Sequence, residues 1–129
     1  AILAYREALI LNDADAWSMN NYGLVLIRQG RFEEALLPLA RAVELNPGSP
    51  VFRNNLGVAL ERAGELGGAE HAFEATLQAD STYTRARISL DRVRARLGDT
   101  PRTQPDLAEL ARRFMEDLQA WIGEEDHTC

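Results

Sequence analysis

The run NNYGLVLIRQGRFEEAL, starting at Asn20, is written again 34 residues later as NNLGVALERAGELGGAE, starting at Asn54. The register holds position by position: Gly23 with Gly57, Gly30 with Gly64, Leu26 with Leu60, Ala35 with Ala69, Leu39 with Phe73 and Asn21 with Asn55. Stepping forward, Gly64 pairs with Gly98. Stepping backward, Leu39 pairs with Tyr5, Ala42 with Ala8, Leu45 with Leu11 and Asn46 with Asn12. A fixed period of this length means that one supersecondary unit recurs and buries its apolar face against the next copy.

Each unit reads as two helices. Across Ala14 to Gln29, apolar residues at Met19, Tyr22, Val25 and Leu26 fall on one helical face. Gly30 permits the positive φ that ends a helix. Ala35, Leu36, Leu39, Ala42 and Val43 then form the stripe of a second helix from Phe32 to Leu45, which Pro47-Gly48 stops. Val51 to Ala63, Gly64, and Leu66 to Ala79 repeat the arrangement. Small residues at Gly23/Gly57 and Ala35/Ala69 let the paired helices approach closely. No stretch alternates with period two, so no strand is expected.

The pattern resembles the tetratricopeptide repeat, W-x2-L-G-x2-Y…A-x3-F…P over 34 residues. Here it stands as Met19-x2-Tyr22-Gly23-x2-Leu26…Ala35-x3-Leu39…Pro47, then Arg53-x2-Leu56-Gly57-x2-Leu60…Ala69-x3-Phe73…Ser81. Met19 and Arg53 depart from the usual Trp, and Ser81 from Pro. The resemblance implies an all-α, right-handed α-solenoid of helix-turn-helix repeats. It divides the chain into the second helix of a truncated repeat (1–12), two full repeats (13–47 and 48–81) and the first helix of a partial third (82–98). Residues 99–123 follow as a linker and an amphipathic capping helix, and 124–129 as a disordered tail. Upstream repeats are expected before residue 1.

Leu107, Leu110, Ala111, Phe114, Leu118, Trp121 and Ile122 make the wide apolar face of that last helix, which Gly123 is expected to end. It is read as the cap that seals the last hydrophobic surface of the array.

In such solenoids the first helix of each repeat lines a concave groove. The resemblance carries groove positions onto Trp17, Asn20, Asn21, Leu24, Ile27 and Arg28, and onto Val51, Asn54, Asn55, Val58, Glu61 and Arg62. In the partial repeat they are Arg85, Ile88, Ser89, Arg92, Ala95 and Arg96. Asn21 and Asn55 are the most informative, because an amide can both donate to and accept from the backbone of an extended ligand. Repeats of the O-linked N-acetylglucosamine transferase type carry such a ladder. The alternative is that these amides brace neighbouring helices. The chaperone-tail clamp of a different branch needs Lys and Asn where this chain has Asn20 and Leu24, so that partner is not expected.

From Arg85 to Arg102, six Arg face only Asp91 and Asp99, although the chain carries a net charge of −6. That end suits an acidic ligand, or else it is a solvated face balanced by acids on neighbouring helices. The acidic total argues against nucleic acid, and no run approaches a membrane span. The lone cysteine, Cys129, cannot form an internal disulfide. His71 reads as solvated. His127 and Cys129 beside Glu124, Glu125 and Asp126 read as a soluble terminus rather than a metal site. No nucleophile stands beside a base, so neither catalysis nor a cofactor is expected. The expected function is that of a protein–protein interaction scaffold binding a peptide in the groove. Self-association, or service as an accessory domain to an enzyme lying upstream, is the alternative.

Overall fold

The computed structural model describes residues 2–127, with side chains through Glu124. It is an all-α repeat solenoid of seven helices among the described residues: α1 (Ile2–Leu11), α2 (Ala16–Arg28), α3 (Phe32–Leu45), α4 (Pro50–Arg62), α5 (Leu66–Ala79), α6 (Thr84–Leu97) and α7 (Leu107–His127). Local chemistry sets the starts. Asp15 caps α2 by accepting from the Ser18 N–H (3.2 Å) and hydroxyl (2.6 Å). Ser49 caps α4 by accepting from the Phe52 N–H, with Pro50 at the first helical position. Gly30 and Gly64 take φ of 76° and 85° at the turns between paired helices.

Helices α2 and α3 pack as one pair and α4 and α5 as another, with α3 against α4 and α5 against α6. The recurring glycines lie where the pairs come closest. A Cβ on Gly23 would sit 2.5 Å from Leu39 Cγ, and one on Gly57 would sit 2.7 Å from Phe73 Cε1. One core runs along the array through Met19, Leu26, Leu39, Phe52, Leu56, Leu60, Phe73 and Leu90, each nearly or fully buried.

The seat of α7 corrects the sequence-based expectation. Instead of closing the array beyond α6, α7 turns back and packs on α3 and α1. Helix α6 closes the array itself. The positions that face the second helix in the full repeats (Met19/Arg53, Gly23/Gly57, Leu26/Leu60) are Arg87, Asp91 and Arg94 in α6, all exposed. That face is already solvated and has nothing for an apolar cap to cover.

The outer face of α3 is apolar where that of α5 is polar, and this decides where α7 goes. Leu36, Leu37 and Ala40 are buried or half-buried on α3, whereas α5 carries Glu70, His71 and Glu74 at the equivalent positions. Against α3, α7 buries Ala111, Phe114 and Leu118. Phe114 and Leu118 together contribute roughly 3–6 kcal/mol before entropy. Trp121 and Phe114 form an aromatic cluster with Tyr22, at centroid separations of 5.9–6.4 Å, and the Arg6 guanidinium lies 4.1 Å over Trp121. Burial in this cluster pushes the Tyr22 phenol above its ordinary value, with the charges of Arg6 and Arg31 pulling it down.

These contacts carry α7 through Gly123, which is half-buried inside the helix rather than at its end. The expected stop at 123 and the disordered tail from 124 are corrected as far as His127. Thr128 and Cys129 lie outside the described residues.

The linker between α6 and α7 is pinned by Arg102. Its Nε donates to Glu70 Oε1 at 3.1 Å, and its Nη1 donates to the carbonyls of Gly98 and Thr100 at 2.8 Å each. The linker then crosses the start of α5 at Gly67-Gly68. A Cβ on Gly67 would stand 2.2 Å from the Thr103 carbonyl oxygen, and one on Gly68 would stand 2.9 Å from Pro105 Cδ. The equivalent residues in α3 are Glu33 and Glu34, so this glycine pair departs from the repeat where the crossing chain requires it.

Candidate functional site

With α7 on the outer layer, the face formed by α2, α4 and α6 stays open. The structure sorts the sequence-predicted groove residues into three groups. Trp17, Asn21, Arg28, Arg62, Arg85, Ile88, Arg92, Ala95 and Arg96 are exposed. Leu24, Ile27, Val51, Asn55 and Val58 are half-buried. Asn20, Asn54, Glu61 and Ser89 are buried. Trp17 keeps 55% of its surface exposed while its ring sets edge-on against Phe52 at 4.8 Å. Ile88 is 58% exposed, so both ends of the face present a large apolar side chain.

The asparagines divide between the two readings of the sequence, and for Asn55 the bracing alternative holds. Asn55 donates from Nδ2 to Asn20 Oδ1 at 2.8 Å, joining α4 to α2 across the repeat boundary. Asn20 is 1% exposed, so this bond satisfies an oxygen that water cannot reach. Asn55 therefore braces the array, and of the two expected rungs only Asn21 stands on the exposed face. One step along, Asn54 occupies the place of Asn20, and Ser89 the place of Asn55. The shorter side chain makes no such bond, and Asn54 Oδ1 is buried without a partner.

The basic end is also partly spoken for. Arg92 donates from Nε and Nη2 to the two carboxylate oxygens of Glu61 at 2.7 Å each, and from Nη2 to Ser89 Oγ at 3.2 Å. Arg96 Nη1 lies 3.8 Å from the same carboxylate. The Arg92 hydrogen bonds hold the Glu61 carboxyl below its ordinary value against the opposing effect of burial, and the charges of Arg92, Arg96 and Arg62 add to the lowering. Glu61 has Ile27 and Ala95 as its repeat equivalents, so this ion pair is specific to one boundary. Arg92, expected as a ligand-binding cation, is held by the protein itself. Arg94 is turned away to Glu74 (2.7 Å) and Glu70 (3.3 Å), and Glu70 is shared with Arg102. On the groove side, Arg28, Arg62 and Arg85 make no hydrogen bond among the described residues. Arg62 lies 5.7 Å over the Phe32 ring.

The sequence reading missed the glycine pair at Gly67-Gly68 and the Glu61–Arg92 pair. The first was signalled by two residues of poor helix propensity inside a helix, the second by a carboxylate where the other repeats carry apolar side chains. Among the described residues no group of His, Cys, Asp and Glu is placed to hold a metal ion, and no helix is long and apolar enough to cross a membrane. His71 is exposed on α5.

Comparison with known proteins agrees with the helical repeat fold. Profiles described as tetratricopeptide repeat match residues 26–97 and 1–50. The chain is 31% identical over 108 residues (77% of its length) to the TPR repeat-containing thioredoxin TTL4 of Arabidopsis thaliana. It is 29% identical over 110 residues (78% of its length) to the inactive TPR repeat-containing thioredoxin TTL3 of the same organism. Each match spans 16% of the relative's own length.

Proposed function

The chain belongs to the tetratricopeptide repeat family, whose repeats are protein–protein interaction modules, and on that premise we propose that the α2–α4–α6 face holds an extended segment of a partner protein. One observation carries this reading: Trp17 on α2 and Ile88 on α6 stand exposed on the open face, together with Arg28, Arg62 and Arg85, which make no hydrogen bond among the described residues. Exposed aromatic and arginine side chains together are the composition of interface anchors. Leu24, Val51 and Val58 supply half-buried apolar floor, and Asn21 supplies an amide for the ligand backbone. The arginines favour acidic residues toward α6. We read the array as two full repeats, 13–47 and 48–81, with partial repeats on either side, and as a scaffold without catalysis of its own.

The test is calorimetric titration against a random peptide library, followed by the selected peptide on Trp17→Ala and Asn21→Ala. Both residues are exposed, so the fold should tolerate these changes. A selected peptide that binds both variants as tightly as the parent sinks the groove reading.

A second reading, self-association, rests on α1, where Leu3 and Leu11 are 72% and 88% exposed. Sedimentation of Leu3→Ser/Leu11→Ser beside the parent chain decides it, since a self-associating parent would lose mass on substitution. Service as an accessory segment of a longer protein is a third proposal, favoured by the small share of the thioredoxin-named relatives that the match covers.

A further inference from the structure

Three of the groove arginines, Arg28, Arg62 and Arg96, occupy the same place in successive repeats, 34 residues apart. Each lies in the last turn of its helix, and each is exposed. A cation there also suits the helix dipole. That explanation alone would put one on every helix, yet the last turns of α1, α3 and α5 hold no basic residue. The row is confined to the helices that form the open face.

The charge on that face has the opposite sign to the molecule. Its predicted lining includes five arginines, while its one carboxylate, Glu61, is taken by Arg92. The whole chain nevertheless carries −6. Most of that negative charge lies elsewhere and leaves the face an isolated basic strip, which selects and orients an acidic partner.

The spacing of the strip sets a register. Asn55 ties α4 to α2 and Arg92 ties α6 to α4; neighbouring helices lie roughly 8–10 Å apart, and an extended chain rises about 3.3 Å per residue. One repeat therefore corresponds to about three ligand residues. Resting on the groove reading above, we propose that Arg28, Arg62 and Arg96 form a ladder for an acidic, extended segment of a partner protein, its carboxylates recurring at every third residue. Each guanidinium takes one carboxylate through its paired N–H donors, and the side chains between face the apolar floor or solvent. Arg92 is not a rung, because its Nε and Nη2 hydrogen-bond Glu61, whereas Arg96 stands 3.8 Å from that carboxylate without a hydrogen bond to it.

The probe is a fluorescein-labelled peptide of repeated Asp-Ala-Ser, compared with an isomer of the same composition whose Asp residues are clustered at one end. The spaced peptide is expected to bind about tenfold tighter than the isomer. Its affinity should fall about three- to tenfold with each of Arg28→Gln, Arg62→Gln and Arg96→Gln, and it should weaken as salt rises. Failure of the spaced peptide to bind, equal affinity for the two isomers, or indifference to the triple Gln variant each overturns the ladder. The groove reading is judged separately. A library-selected peptide that loses affinity on Trp17→Ala but not on the triple Gln variant leaves the groove standing and removes the ladder. Circular dichroism of the triple variant guards against misfolding, and if that variant unfolds, the three single variants decide.

Discussion

Asn55 reaches from α4 to give its Nδ2 hydrogen to the buried Oδ1 of Asn20 on α2, at 2.8 Å. The bond links two repeats through residues 35 apart in sequence, one more than the period. An amide at each of two adjacent positions thus lets one repeat accept from the next. The doubled Asn-Asn is a fastening between units as much as a surface presented to a ligand.

Removing the donor should cost more than the bond itself. Asn55→Ala leaves Asn20 Oδ1 buried with nothing to pair with, and a loss of about 1–3 kcal/mol in unfolding free energy is expected. The double variant Asn20→Ala/Asn55→Ala should lose less than the sum of the two single changes, because each single variant strands the other partner. Urea denaturation of all four proteins measures this. Strict additivity would show that the two amides do not interact.

At the next boundary the same bond is missing, and supplying it should stabilise the chain. Ser89→Asn places an amide where the preceding boundary carries Asn55, which there donates to Asn20, the repeat equivalent of Asn54 with its unpartnered Oδ1. A gain of about 0.5–1.5 kcal/mol is expected, the net value of one added hydrogen bond. A lower denaturation midpoint than that of the parent would mean that the larger side chain does not fit beside Arg92.

The repeat was legible because burial recurs with the helical period and the period recurs with the fold. The fate of α7 was legible too: Asp91 stands at the motif's own glycine position, held by Gly23 and Gly57, and at positions the motif leaves open Glu70, His71 and Glu74 replace the apolar Leu36, Leu37 and Ala40. The first solvates the end of the array, and the second reserves the apolar seat for the first repeat. The pairing of Asn55 with Asn20 was not legible. Periodicity within a helix says which side chains share a face. It says nothing of the lateral offset between two helices, and that offset aims Asn55 at its neighbour and leaves Asn21 exposed.

The linker crossing makes Gly67 a sensitive position. In an isolated helix Gly67→Ala would be favourable by about 1 kcal/mol. Here the new Cβ would meet the Thr103 backbone at 2.2 Å, and backbone cannot swing aside as a side-chain tip can. The linker must lift, loosening α7 from α3, and a net loss of about 1–3 kcal/mol is expected. Limited proteolysis reports it directly, since cleavage between 99 and 106 should accelerate in the variant. An unchanged cleavage rate together with raised stability would show that the crossing is not tight.

The Glu61–Arg92 pair gives the stability a pH dependence of definite sign. Glu61 titrates below its unfolded value, which is near about 4.3. The folded state therefore binds this proton less readily than the unfolded one. The contribution is fully present above that unfolded value and is lost as pH falls through the lower folded one. Because Arg92 is half exposed, screening limits the pair to about 1 kcal/mol. Glu61→Gln keeps the side-chain shape and removes the charge, so the variant should be less stable than the parent at pH 7, with the difference shrinking toward pH 3. Denaturant midpoints at the two pH values separate this from a packing effect, because a packing defect would lower both midpoints alike. Arg92→Glu would set a half-exposed carboxylate against the buried one of Glu61. It should destabilise most at neutral pH and least in acid, which also disqualifies it as a probe of ligand binding.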